Sequence, residues 1–157
     1  MAEVQEQRPG APSPYATGDG PSGPRAGFWR RFVAAFADGI LLSIPYWILL
    51  AAMNESAASG ISLLINIAYF TYLEGSPAGQ TIGKKLLGIR VIDFNTGGSI
   101  GYPRAFGRYL GRFLSAIALL LGYLWMLWDK EKQTWHDKLV SSVVVPTDAY
   151  PVSRWPG

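Results

Sequence analysis

Residues 32–53 read FVAAFADGILLSIPYWILLAAM, an apolar run interrupted by a single charge at Asp38. About 20 mostly apolar residues in a helix cross the hydrocarbon core of a bilayer, and this run supplies them. Trp29, just ahead of it, stands where interfacial aromatics belong, and Pro45 inside it predicts a kink. A cleaved leader would be shorter and would not carry Asp38 in its apolar centre. Residues 54–60 (NESAASG) read as a turn. Residues 61–73 (ISLLINIAYFTYL) then form a second apolar run. Extended back to Ala57 it reaches the lower limit of about 17 residues for a span, and Tyr69, Phe70 and Tyr72 form its aromatic belt.

The distribution of charge agrees. No Lys or Arg occurs between Arg31 and Lys84, whereas the surface helices of a water-soluble domain need such residues for solvation. Only 16% of the chain is charged and 49% is hydrophobic, against about 25% charged in an ordinary soluble domain. Cysteine is absent and there is one His, which excludes a disulfide scaffold, a thiolate zinc site, a Cys nucleophile and a multi-His metal centre. A formal net charge of +3, clustered beside apolar segments, argues against nucleic acid as a partner. It points to the bilayer and its anionic lipid headgroups, which Lys84 and Lys85 are placed to meet. The positive-inside rule puts the N-terminus in the cytoplasm of a multi-pass cell-membrane protein. Residues 1–24, rich in Pro, Gly and Ser, read as a disordered tail; residues 25–146 form the membrane domain and 147–157 a C-terminal tail.

Residues 74–104 do not read as a span. The LGIRVID stretch, the turn at Asn95–Gly98 and SIGY predict a short cytoplasmic β-hairpin, although residues 141–146 (SSVVVP) also read as a strand able to pair with LGIRVID. GQTIGKK lacks the spacing of a phosphate-binding loop, since three residues rather than four separate Gly79 from Gly83. Residues 106–128 are the third apolar segment. Arg104, Arg108 and Arg112 open it on one helix face, and Gly107 and Gly111 make a small-residue step suited to close helix approach. This segment either crosses the bilayer or re-enters it, bending near Gly122. The fold class expected is thus an all-α membrane protein with two to three transmembrane helices and a small cytoplasmic β-element.

Four motifs in order, FWRRF…DG, GQTIGKKLLGIRVID, the arginines opening the third segment, and KxQxWHDK…VVV, resemble the RDD family of small bacterial membrane proteins. The likeness covers about residues 27–145. It places the family Arg on Arg31, with Arg30 its neighbour, the first Asp on Asp38 and the second on Asp137. Ser141–Ser142 stand where members usually carry Gly–Thr. The resemblance implies a membrane location and ligand transport as the activity usually suggested.

Asp38, ten residues into its helix, would lie about 15 Å deep, near the bilayer centre. An ionised acid facing lipid there costs at least about 2.5–3.5 kcal/mol, so it should face the bundle interior. A carboxylate poised between desolvation and a nearby Arg can bind a proton or a cation in turn. Its other reading is a buried packing pair. Arg31 lies on the same helix face but too far for direct contact, so a second-helix residue or a water should bridge them, the side-chain candidates being Asn66, Arg108 and Arg112. Asp137 would pair Arg31 or a loop Lys, or cap a helix, and His136 reads as a cap or surface residue. No catalytic arrangement, metal site or cofactor is indicated, so the chain does not read as an enzyme. Two functions fit. One is an oligomeric small-solute or cation/proton transporter using Asp38, since three short helices enclose no pathway alone. The other is a membrane scaffold or accessory subunit that recruits a partner through its loop and tails.

Overall fold

A computed structural model describes residues 24–118 and 120–157; the expected disordered tail lies, apart from Pro24, outside these residues. Two long helices, α1 (Phe28–Ala52) and α2 (Glu55–Gly75), form an antiparallel hairpin. At its open end sits a polar base built from α3 (Ile82–Leu86), β1 (Ile89–Asp93), α4 (Tyr102–Ile117), α5 (Leu121–Leu124), a 3₁₀ turn (Trp125–Leu127), α6 (Trp135–Leu139) and β2 (Ser142–Pro146). α1 runs unbroken through Pro45. α2 begins earlier than hydropathy suggested. Asn54 caps it, its side chain accepting from the Ala57 N–H at 2.9 Å, so the polar NESAASG stretch is its first two turns rather than a loop.

Along the hairpin the burial is thin. Ile40, Ile44, Trp47, Ile48, Leu63 and Leu64 are all exposed, as apolar helix faces are when lipid is their solvent. α1 and α2 are both long and apolar enough to cross a membrane. The third apolar segment is bent: the chain turns through 110° between Tyr102–Ile117 and Leu121–Leu127, so a third crossing requires counting this bent pair as one span.

The β-element differs from the expected hairpin. SIGY is not a strand among the described residues; β1 instead pairs antiparallel with β2, with Val91 opposite Val144. The Asn95–Gly98 turn is real, with the Asp93 carboxylate accepting from the Asn95 N–H at 2.7 Å, but it leads into α4. Three consecutive valines can bury on both faces because the two-stranded sheet is covered by Ala26, Ala34, Ile100 and Ala105 on one side and Tyr150 on the other. The Ala26 N–H donates to the Val144 carbonyl at 2.9 Å. The segment before α1, the end of α2 and the last strand therefore meet at one end of the molecule. Ser141, entering β2, holds a left-handed φ of +49°, the conformation glycine adopts at least cost. The C-terminal segment is tied down: the Trp155 indole donates to the Gln80 carbonyl at 3.1 Å.

α4 is strongly amphipathic. Leu110, Phe113, Leu114 and Ile117 are exposed while Arg108, Gly111 and Ser115 are buried. Tyr102 stacks on Tyr72, and Tyr109 packs on Phe70, so α4 lies against the last turns of α2. The Gly107/Gly111 step is used inside the chain. Gly111 lies against His136 of α6, where an added Cβ would come within 2.9 Å of the His136 Cβ, and Gly107 faces Val140.

Candidate functional site

Two acids organise the base. Glu74, fully buried at the end of α2, accepts from Lys84 Nζ at 2.7 Å and Arg108 Nε at 3.0 Å and also pairs with Arg112. Asp137, equally buried on α6, accepts from Arg31 at 2.6 Å and pairs with Arg108. Arg108 thus joins the two acids into one chain of charge: Arg31, Asp137, Arg108, Glu74, then Lys84 and Arg112. Removing carboxylates from water costs several kcal/mol each, and only such multiple pairing offsets it. Asp137 does two jobs at once. Thr134 and Asp137 form a reciprocal capping box at the start of α6, with the Thr134 N–H donating to the carboxylate at 3.0 Å. Burial pushes the Asp137 carboxyl up, but Arg108 and Arg31 outweigh it and hold the group well below the usual carboxylate range.

Asp38 belongs to a separate arrangement. It is fully buried and accepts from Tyr69 Oη at 2.6 Å, Thr81 Oγ1 at 2.6 Å and the Gly83 N–H at 2.8 Å. Gly83 is required there, because a Cβ would collide with the Ala34 carbonyl and with Asp38 itself. GQTIGKK is therefore the strap that packs α3 onto α1 and covers Asp38. No arginine touches Asp38 among the described residues, and Asn66 donates only to the Ser62 carbonyl of its own helix at 2.8 Å. No side chain bridges Arg31 to Asp38 among the described residues: the two face different clusters, one closed by α6 and the other by α3. Along α1, about 21 Å of helix separates Asp38 from Ala52.

Lys84 and Lys85 divide. Lys84 is buried and engaged by Glu74, so it is not on the surface to meet a headgroup; burial pushes its ammonium down against the pull of Glu74. Lys85 is exposed and its ammonium lies 4.1 Å from the Trp155 ring. His136 is buried rather than superficial, and burial together with the neighbouring arginines depresses its imidazole well below the ordinary value despite Asp137. Its Nδ1 lies 3.3 Å from Ser115 Oγ, which itself donates to the Gly111 carbonyl at 3.1 Å. The residue that sequence reasoning passed over is Glu74. Its signal was present: it is the last acid before a basic cluster that follows a long stretch without cations.

Between α1 and α4 lies a cavity of about 500 Å³. Both helices pack on α2 but scarcely on each other, so the gap is structural. Among the described residues, Arg31, Lys84, Arg108 and Arg112 reach its wall with Asp38 as the lone acid, and Phe32, Phe70, Tyr123 and Leu124 supply part of its apolar lining.

A family model described as the RDD family matches residues 25–141. The chain belongs to the RDD family. Of the three residues on which the resemblance would place the family's Arg and two Asp, Arg31 and Asp137 are paired, while Asp38 is held apart beneath α3. Among curated relatives, the uncharacterized protein YxaI of Bacillus subtilis is 30% identical over 76% of this chain and 96% of its own length. The proline-rich antigen homolog of Mycobacterium tuberculosis is 29% identical over 74% of this chain and 61% of its own. A second Bacillus subtilis protein, YckC, uncharacterized, is 28% identical over 76% of this chain and 83% of its own. No solved structure matches. RDD membership and two helices of spanning length and apolarity point to a membrane protein.

Proposed function

We propose that this RDD protein is a multi-pass protein of the cell membrane that binds and moves a small anionic solute at the cavity between α1 and α4. The observation that carries this is the sign of the wall: four cations and one acid face the space. Glu74 and Asp137 pair with all four of those cations from behind but balance only two of their charges. Asp38, closed in by two hydroxyls and a backbone N–H, is better suited to clamping α3 on α1 than to cycling a cation. The sequence-level expectation of cation/proton exchange thereby shifts to an anion.

In this reading the α1–α2 hairpin crosses the bilayer and the base lies on the cytoplasmic side, by the positive-inside rule. α4 lies at the bilayer surface with its apolar face down, as its amphipathicity favours. Two full crossings cannot enclose a path, so the working unit is an oligomer.

Purified protein in proteoliposomes should exchange labelled small anions, and Arg112→Gln should abolish exchange while leaving insertion and oligomeric size unchanged. Wild-type exchange in that variant would overturn the proposal. A cation-driven pH change lost in Asp38→Asn would restore cation exchange instead. A strictly monomeric wild type in detergent would count against movement of any solute.

A further inference from the structure

We infer that the occupant of this cavity is an amphipathic anion, with a carboxylate or phosphate head on Arg112 and an apolar chain leaving sideways between α1 and α4. This deepens the anion reading above and rests on it. The head position follows from unused donors. Arg31 is engaged by the Lys132 carbonyl, Thr134 and Asp137, and Arg108 by Glu74, Asp137 and Ser142. Lys84 is engaged by Glu74. Arg112 gives one nitrogen to Glu74 and lays its plane 4.2 Å from the Phe70 ring. Its Nε and second terminal nitrogen have no partner among the described residues. The nitrogen on Glu74 keeps a second hydrogen, which together with the N–H of an unpartnered neighbour makes a two-donor edge that matches a carboxylate or phosphate, and Arg binds such planar pairs of oxygens more specifically than Lys does.

The chain position follows from the walls. Phe32, Ala35, Ala116 and Leu120 line the cavity and are themselves exposed, so the space opens on the face where α1 and α4 present Phe36, Phe113 and Ile117 outward. That opening looks toward lipid. The opposite side is shut by the ion pairs and by His136 and Thr134. An inorganic anion would satisfy the charge but leave the aromatic wall uncovered. A cation with the same chain would meet Arg112 with the wrong sign. A volume near 500 Å³ is within the range of small-ligand sites, about 300–1,000 Å³.

The test uses the full chain in a maltoside detergent, with unfolding followed by its own tryptophans. Dodecyl phosphate is expected to raise the unfolding temperature in a concentration-dependent way. Inorganic phosphate and dodecyltrimethylammonium at equal concentration are expected not to. Arg112→Gln should weaken the dodecyl phosphate response about tenfold or more, and Arg112→Lys should recover part of it. Ala35→Trp, which fills the opening and leaves every ion pair in place, should weaken it similarly. Equal responses to inorganic and dodecyl phosphate would overturn the amphiphile while sparing the anion reading. An unchanged response in Arg112→Gln or in Ala35→Trp would overturn the proposed seat. Binding as expected with no exchange in proteoliposomes would remove the carrier reading alone. A shift also seen for wild type in nanodiscs made with an anionic phospholipid, and competing with dodecyl phosphate, would support the site with membrane lipid as the source. Absence of that competition would support it with a single-chain anion as the source.

Discussion

Replacing Glu74 by Gln is the most direct test of the charge network. The side chain keeps its volume and loses its charge. Glu74 is fully buried and contacts three cations. Arg108 retains Asp137, but the Lys84 ammonium has Glu74 as its one hydrogen-bond partner among the described residues, so it is left buried beside an amide. Breaking a buried pair by removing one partner costs about 3–5 kcal/mol, against a total stability of about 5–15 kcal/mol for a typical domain. At about 2–4 °C per kcal/mol for chains of this size, the unfolding temperature should fall by roughly 10 °C. The six tryptophans report this by fluorescence in detergent. A second variant separates charge from packing: adding Lys84→Met to Glu74→Gln removes the stranded ammonium and should recover part of the loss. The reasoning fails if Glu74→Gln unfolds within about 2 °C of wild type, or if Lys84→Met recovers nothing.

Other consequences can be measured in the same way. Gly83→Ala should destabilise by more than about 2 kcal/mol, since overpacking typically costs 1–3 and here the clash is with backbone; wild-type melting would contradict the strap on Asp38. Ser141→Gly should stabilise by about 1 kcal/mol by relieving the left-handed backbone, read as a rise in the unfolding temperature. Burial holds the His136 imidazole of the fold well below its ordinary range, whereas it titrates near pH 6.5 when unfolded, so the unfolded chain takes up a proton first. Stability should then fall as pH drops below about 6.5, by up to about 1.4 kcal/mol per unit, and His136→Gln should flatten that slope below about pH 6.5. Because natural cysteines are lacking, single cysteines at Thr96 and Ser153 should be labelled from one side of a sealed vesicle and one at Asn54 from the other. Labelling of Thr96 and Ser153 from opposite sides would refute the common base.

The two long apolar helices α1 and α2 were legible because length and apolar composition alone mark them. The start of α2 was not, since Asn54, Glu55 and Ser56 look like a turn until the cap is seen to satisfy the first helical N–H groups. Glu74 was hidden by its neighbour Gly75, which made the pair read as the opening of a loop. Lys84 could not be told from Lys85, because a five-residue helix has no period from which to read a buried face. The β1–β2 pairing was one of two options for LGIRVID, and only packing against Ala26 and Ala105 selects it. Asp38 was correctly singled out as a buried acid, but its partners come from a strap whose reach over α1 depends on one missing Cβ at Gly83, a steric fact with no hydropathy signature.

Arg31 finds Asp137 only 106 residues further along the chain, and Arg25 finds Glu131 across the same interval. During translation the hairpin therefore leaves the ribosome long before the acids that neutralise its flanking arginines. In the topology proposed above, those arginines would stay solvated on the side of synthesis and hold the N-terminal end there until their acids emerge. A premature stop ahead of Asp137 would deliver an inserted hairpin whose cations never find their acids, the kind of fragment that cellular quality control removes.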